Sequence, residues 1–273
     1  DIDAVLGQVV ARCVEAGLVD GEQVAVDTTL VPANASLASL VHQTTGQPIQ
    51  AYLAQQQAAQ PQVPCQVSNA DFRSTTDPEA RLRVKTGHPR DMYYSVSHVT
   101  DGHAQIILAA RADEADRGEP EQVRPAVRTA AARLRAHGYV PGLLIGDAGF
   151  DDGTFLREVA WYGWTPVVNY TAHAGGKSAG FRLCDFRYEA STNSYCCPQG
   201  ARLAYKCTDP TQGRDRYVSD AATCAACPVA AQCLGPGAAV RWLSRTVTTP
   251  ARDQVIARCH TPRGRAALRA RKH

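Results

Sequence analysis

No run of apolar residues approaches the roughly 18 that a membrane-spanning helix needs. The start has no basic stretch leading into an apolar one. Neither a membrane span nor a signal peptide is therefore expected, and a cytoplasmic location follows. The first residue is not Met, so further residues are expected upstream. Acid is missing at the other end: beyond Asp253 there is no Asp or Glu, while Arg258, Arg263, Arg265, Arg269, Arg271 and Lys272 follow. Such a tail is either a phosphate-contacting surface or a solvated helix whose acidic partners lie further along. No arrangement suggests a nucleophile triad. Gly175-Gly176-Lys177-Ser178 ends like a phosphate-binding loop but lacks the upstream glycine at the required spacing, so it reads as an ordinary loop.

What is present suits a packed protein. Hydrophobic residues make up 44% of the 273 and charged residues 20%, which argues against disorder. The length allows one or two domains. A net charge of +3 is too small to argue for nucleic acid by itself. Ten cysteines would suit a disulfide scaffold only in a much shorter chain. Without an export signal they read as reduced, and their clustering as a metal site.

Residues 2–16 carry Ile2, Val5, Leu6, Val9, Val10, Cys13 and Val14 at helical spacing, with Gly17 as a stop. Val24 to Leu30 is β-rich. Residues 37–76 read as a helix plus a long surface loop. Tyr93–Val99 and Gln105–Ala110 read as strands, with a turn signal at Asp101-Gly102. A helix is expected over 119–137, a buried parallel strand over 143–147, a helix over 152–162 and a strand over 166–169. Trp161 and Trp164 read as packing on the sheet. His88, His98 and His103 read as ordinary surface or core groups. A basic helix, broken near Pro262, is expected over 250–272. The early hairpin followed by βα units implies a mixed sheet with helices on both faces, the order of a ribonuclease-H-like α/β fold rather than a flavodoxin-like one.

Asp27 and Asp147 sit in or at the end of the first and fourth strands. In this order those strands are adjacent and parallel, about 4.8 Å apart. Two carboxylates at matching heights there could share one Mg²⁺ or Mn²⁺. Either residue alone could equally be a turn former. Further on, Cys224-Ala225-Ala226-Cys227 followed by Cys233, with Cys197 upstream, offers four thiolates of the kind that hold structural Zn²⁺. Cys196 and Cys207 rival Cys197, separate inert thiols are the plain alternative, and iron–sulfur ligation is less favoured. Cys65, Cys184 and Cys259 have no assigned role.

Val26-Asp27-Thr28-Thr29 with Ala33-Asn34-Ala35-Ser36, Gly146-Asp147-Ala148-Gly149-Phe150, and Thr76-Asp77-Pro78-Glu79-Ala80-Arg81 together resemble the motifs of insertion-sequence transposases of the DDE class. The resemblance covers nearly the whole chain. It implies Asp27 and Asp147 as metal-holding catalytic residues, Mg²⁺ or Mn²⁺ as cofactor, transposon-end and target DNA as partners, and a homodimer for the full-length relative. It also implies a branch with a Cys-rich, zinc-ribbon-like insertion before the helix that carries the catalytic Glu. The expected divisions are the end of a helical region at 1–20, a catalytic core at 21–170, the Cys-rich insertion at 171–240 and a basic segment at 241–273. Two departures stand out. Thr28 occupies a position that is usually glycine, and the catalytic Glu is expected beyond His273, so the chain reads as truncated at both ends and weak in cutting by itself. An inactive nucleic-acid-binding remnant with a zinc site, and a nuclease of the same fold, are the rival readings.

Overall fold

The computed structural model describes residues 2–62, 66–85, 87–169, 180–181 and 183–270. The loop expected at 175–178, the tail residues Arg271 and Lys272, and Cys65 lie outside the described residues. The chain divides into two compact units, one of residues 1–150 and 158–166, the other of 151–157 and 167–273.

In the first unit, α1 (Ile2–Glu15) ends in a left-handed Gly17, with Leu18 N–H donating to Cys13 O and Gly17 N–H to Val14 O. That pattern satisfies the last carbonyls of the helix where only glycine adopts the conformation at no cost. Val10 is its buried residue, whereas Ile2, Val5 and Val9 stay exposed. Strand β1 (Gln23–Pro32) alternates, burying Val24, Val26 and Thr28. Thr28 lies within regular strand and pairs with Ser97. A β-branched residue fits extended backbone well, so the glycine expected there is not needed.

Residues 37–76 hold the expected helix and, where a loop was expected, two short strands as well. β2 (Leu40–His42), α2 (Ile49–Ala59) and β3 (Phe72–Ser74) surround Leu40, Ile49, Phe72, Ala80 and Met92. His42 stacks on Tyr52 with ring centroids 4.8 Å apart. β4 (Arg81–Lys85) was not expected either. It and β6 (Ile107–Glu114) both pair with the long β5 (His88–Asp101), β4 along its first part and β6 along the rest.

The β5–β6 connection is wider than a two-residue turn. Asp101 N–H donates to Ile106 O, and the Asp101 carboxylate, fully buried, accepts from Gly21 N–H (2.9 Å) and His103 N–H (3.0 Å). Its anchoring role explains why the aspartate of the dipeptide that signalled a turn is buried.

Helix α3 (Glu119–Ala136) buries Val123, Ala126, Val127, Ala130, Ala131 and Leu134. Buried Gln122 on the same face is satisfied, accepting from Ser95 Oγ (2.7 Å) and donating to Glu114 O (2.8 Å). Strand β7 (Leu143–Gly146) is buried throughout. After α4 (Gly153–Trp161) comes β8 (Thr165–Val168), and the sheet runs β4-β5-β1-β7-β8 with β6 added on β5. Trp164 is buried, its indole N–H toward Val127 O. Trp161 is 80% exposed and does not pack on the sheet. Among the described residues no helix is long and apolar enough to cross a membrane. This mixed α/β arrangement is consistent with a ribonuclease-H-like domain.

The second unit has a sheet of its own where only irregular insertion was expected. β9 (Arg187–Glu189), β10 (Ser194–Cys196), β11 (Arg202–Asp209), β12 (Arg214–Ser219) and β13 (Trp242–Thr246) form an antiparallel sheet in the order β13-β12-β11-β10-β9. Phe186, Tyr195, Leu203, Tyr217 and Leu243 form its core. The Arg245 guanidinium lies 3.8 Å from the Tyr188 ring centroid, a cation–π contact. Short α5 (Ala221–Ala225) and α6 (Ala230–Cys233) precede β13, and α7 (Thr249–Cys259) and α8 (Pro262–Ala270) follow, with the break where Pro262 cannot continue a helix. A zinc-ribbon insertion with little apolar core is not what this unit shows: packed aromatics hold it together.

Candidate active site and cysteine cluster

Strands β1 and β7 run parallel with Gln23 opposite Leu143, Val24 opposite Leu144 and Ala25 opposite Ile145. Two residues further along each strand stand Asp27 and Asp147, Asp147 being the first residue past the end of β7. The pairing itself ends at Ala25 and Ile145; continued by two residues, the same register would carry both to one level and one face of neighbouring strands. Asp27 is exposed and Asp147 half-buried. The Asp27 carboxylate accepts from Thr28 N–H (2.8 Å) and the Asp147 carboxylate from Gly149 N–H (2.8 Å). The second bond closes a short turn at 148–150, and Phe150 N–H donates to Asp147 O. Phe150 is fully buried, which pins this turn.

Two more groups join this face. His98 is directly opposite Asp27 in the β1–β5 pair, and residues paired across antiparallel strands project to the same side. Glu119, in the first turn of α3, reaches the Asp147 turn. A Cβ built on Gly149 would stand 2.5 Å from Glu119 Oε2 and 3.0 Å from Asp147 Oδ1. The carboxylates thus flank a glycine that leaves them room. Lys85 Nζ lies 2.7 Å from Glu119 Oε1, a cation beside the carboxylates. Sequence reasoning missed Glu119 because an acidic first turn is ordinary helix chemistry, and it set His98 aside. Glu158 is elsewhere, paired with Arg124 at 3.2 Å.

The segment from Thr76 to Arg81 does structural work nearby. Tyr94 O–H donates to Asp77 Oδ1 (2.6 Å), and that bond holds the phenol up at about 12. The buried Arg81 guanidinium pairs with Glu114 and with Asp116 (3.3 Å).

In the second unit Cys197, Cys224, Cys227 and Cys233 all line one cavity, together with Arg241 and Ser219. Cys224 Sγ lies 3.0 Å from Ser219 Oγ. Burial pushes the Cys233 thiol up, Arg241 opposes this, and the charges of Cys224, Cys197 and Cys227 add to the rise. Cys196 and Cys207 do not line this cavity. Cys196 pairs with Arg202, and Cys207 is exposed opposite Arg216. The expected closed set of thiolates is nevertheless not formed. Among the described residues no three His, Cys, Asp or Glu side chains are grouped so as to hold a metal ion. Cys259, assigned no role from the sequence, is buried, with its thiol 3.2 Å from Val168 O.

The donor chemistry distinguishes the two places. Paired carboxylates at one level suit Mg²⁺, which takes one or two carboxylates and keeps most of its waters. Thiols, by contrast, suit a soft cation such as Zn²⁺. Arg252 fixes the start of α7 to the buried Asp151 carboxylate, with Nε 2.9 Å from Oδ1.

No curated protein matches the chain. A family model described as "Transposase DDE domain" matches residues 196–273. The matched stretch begins at the end of β10, takes in the cavity-lining cysteines and α7 and α8, and contains neither Asp27 nor Asp147. It supports a DDE-type transposase, a family that generally uses divalent metal ions and has DNA as its partner.

Proposed function

We propose that this chain is the catalytic core of a DNA transposase in which Asp27 and Asp147 hold a divalent cation for phosphodiester hydrolysis and strand transfer. The observation that supports the reading is the β1–β7 register, whose continuation by two residues would carry the two aspartates to one level. A bound Mg²⁺ or Mn²⁺ would neutralise phosphate charge and activate the attacking oxygen. The chain's own groups divide the remaining work. The carboxylates of Asp27 and Asp147 fix the position of the reacting phosphodiester relative to the sheet. Lys85 offers positive charge to phosphate oxygens, and Glu119 holds that lysine in place.

Nicking of supercoiled plasmid DNA tests this, with wild type compared with Asp27→Ala and Asp147→Ala in Mg²⁺ and in Mn²⁺. Cutting lost in both folded variants supports the reading, and equal cutting by all three overturns it. A second reading, a DNA-binding relative that does not cut, is favoured by the lack of a third carboxylate grouped with these two for a metal among the described residues. Tight DNA binding without nicking by the wild type would establish it.

The cysteine cavity is proposed as a structural Zn²⁺ site of Cys197, Cys224, Cys227 and Cys233. Their common cavity supports this. Close to one zinc per chain after purification without added metal is the expected result. Absence of zinc returns the four residues to ordinary thiols.

A further inference from the structure

The two faces of the second unit's sheet differ sharply. One carries the aromatic core. The register defines the other, because residues paired across antiparallel strands share a side. Arg187, Cys196 and Arg202 form one row across β9, β10 and β11. Arg216 and Arg214 stand opposite Cys207 and Asp209 on β11, and opposite Ser244 and Thr246 on β13. Trp242 stands opposite Val218, with Ala204 next in the row. None of these shares a side with Tyr195, Leu203, Tyr217 or Leu243.

This face is open and basic. Trp242 is 48% exposed, and Arg187, Arg202, Arg214 and Arg216 are all exposed. Against them the face has two acids. Glu189 pairs with Arg187 at 2.8 Å, and Asp209 turns to the backbone of Thr211 and Gln212. Among the described residues Arg214 and Arg216 have no ion-pair partner. An indole on a β-sheet is normally covered, and adjacent arginines repel unless an anion lies between them.

We propose that this face binds single-stranded DNA, with an unpaired base stacked on Trp242 and the flanking phosphates held by Arg214 and Arg216. Charge complementarity selects a polyanion. The exposed aromatic selects one whose bases are free, since a duplex hides its base faces while a single strand presents them. Arg214 and Arg216, two residues apart on β12, stand about 6.6 Å apart along the strand, an interval comparable with the phosphate spacing of an extended nucleic-acid strand. The proposal takes DNA as partner from the function proposed above, but it needs neither Asp27 nor a metal ion.

The test is binding of a fluorescent oligo(dT) to the whole chain in EDTA, followed by anisotropy across a salt series. Trp242→Ala should weaken binding about tenfold to a hundredfold, and Trp242→Phe should restore most of it. Arg214→Ala with Arg216→Ala should lower the slope of log affinity against log salt by about 1.4. The assay contains EDTA and needs no bound metal ion, so failure of the catalytic reading leaves this result untouched. Unchanged binding in folded Trp242→Ala, tighter binding to the matching duplex, or tighter binding to an RNA of equal length would each overturn the proposal.

Discussion

The two units reach stability by opposite routes. The first sheet is long-stranded, and its core residues recur every second position: Val24, Val26 and Thr28 on β1, Ser95, Ser97, Val99 and Asp101 on β5. The second sheet gives each strand one or two core residues and relies on rings: Tyr188, Tyr195 and Tyr217 meet at 5–6 Å between centroids, and Arg245 caps them. Aliphatic alternation leaves every second position of a strand free for a polar residue, such as Asp27 within β1, and Asp147 follows the end of β7. An aromatic cluster leaves its outer face free for charge, and the second unit has filled that face with arginine. The candidate chemistry lies on central strands of one sheet and on the outer face of the other.

The largest effect that should separate the units is catalytic. Asp147→Asn removes a charge from the first unit without changing its shape, and cutting of plasmid DNA should fall by at least about a hundredfold, as misplacement of reacting oxygens does. Cys227→Ser in the second unit should cost far less in rate. Comparable losses from the two would break the division of labour, and single-turnover kinetics with circular dichroism would show it.

Next in size is stability. Leu203→Ala opens the middle of the aromatic core and should cost about 2–5 kcal/mol. Leu144→Ala on β7 should cost a similar amount. If the two cores are independent, each loss should appear in a different urea transition: Trp242 fluorescence should report the first and Trp164 the second. A single transition shifted equally by both variants would show one cooperative core instead.

The same contrast explains what the sequence revealed. Helices α1, α3 and α4 and strands β1, β5, β7 and β8 were legible because their apolar residues repeat often enough to count. Asp27 and Asp147 stood out because they interrupt or end apolar strands. β4 was hidden by an inverted pattern, with Arg81 buried between Glu114 and Asp116 while Val84 is 68% exposed. The sheet of β9 to β13 was hidden because strands such as Arg187–Glu189 are too short for a period to emerge. CxxC spacing pointed to four cysteines that do share a cavity. Spacing says nothing about side-chain rotation, and the expected closed site is not formed. Glu119 could not be found from the chain alone, since its proximity to Asp147 comes from how the start of α3 meets the 148–150 turn.

Glu119 also gives a smaller test within the first unit. Glu119→Gln keeps the shape but removes the charge that holds Lys85 and stands near Asp147. Mn²⁺ affinity, read by electron paramagnetic resonance without DNA, should weaken by about tenfold, the scale of lost outer partners at metal sites. No change would confine Glu119 to anchoring Lys85. A loss as complete as that of Asp27→Asn would make it a direct ligand.

The smallest effect concerns Asp101, the buried acid of the first unit. Burial raises its carboxyl above the ordinary 3.8, more than the hydrogen bonds from His103 and Gly21 lower it. The folded state therefore holds this proton more tightly than the unfolded chain does. Its contribution to stability is fully present below the unfolded value and is lost as pH rises through the higher folded one. Asp101→Asn cannot titrate, so it should lack this slope. It should also carry a constant penalty, because one amide oxygen replaces the two carboxylate oxygens that accept from Gly21 and His103. Urea midpoints for wild type and variant should accordingly diverge most at low pH and converge as pH rises through the carboxylate range. Parallel curves would mean that Asp101 titrates alike in both states, and that its two backbone hydrogen bonds offset its burial.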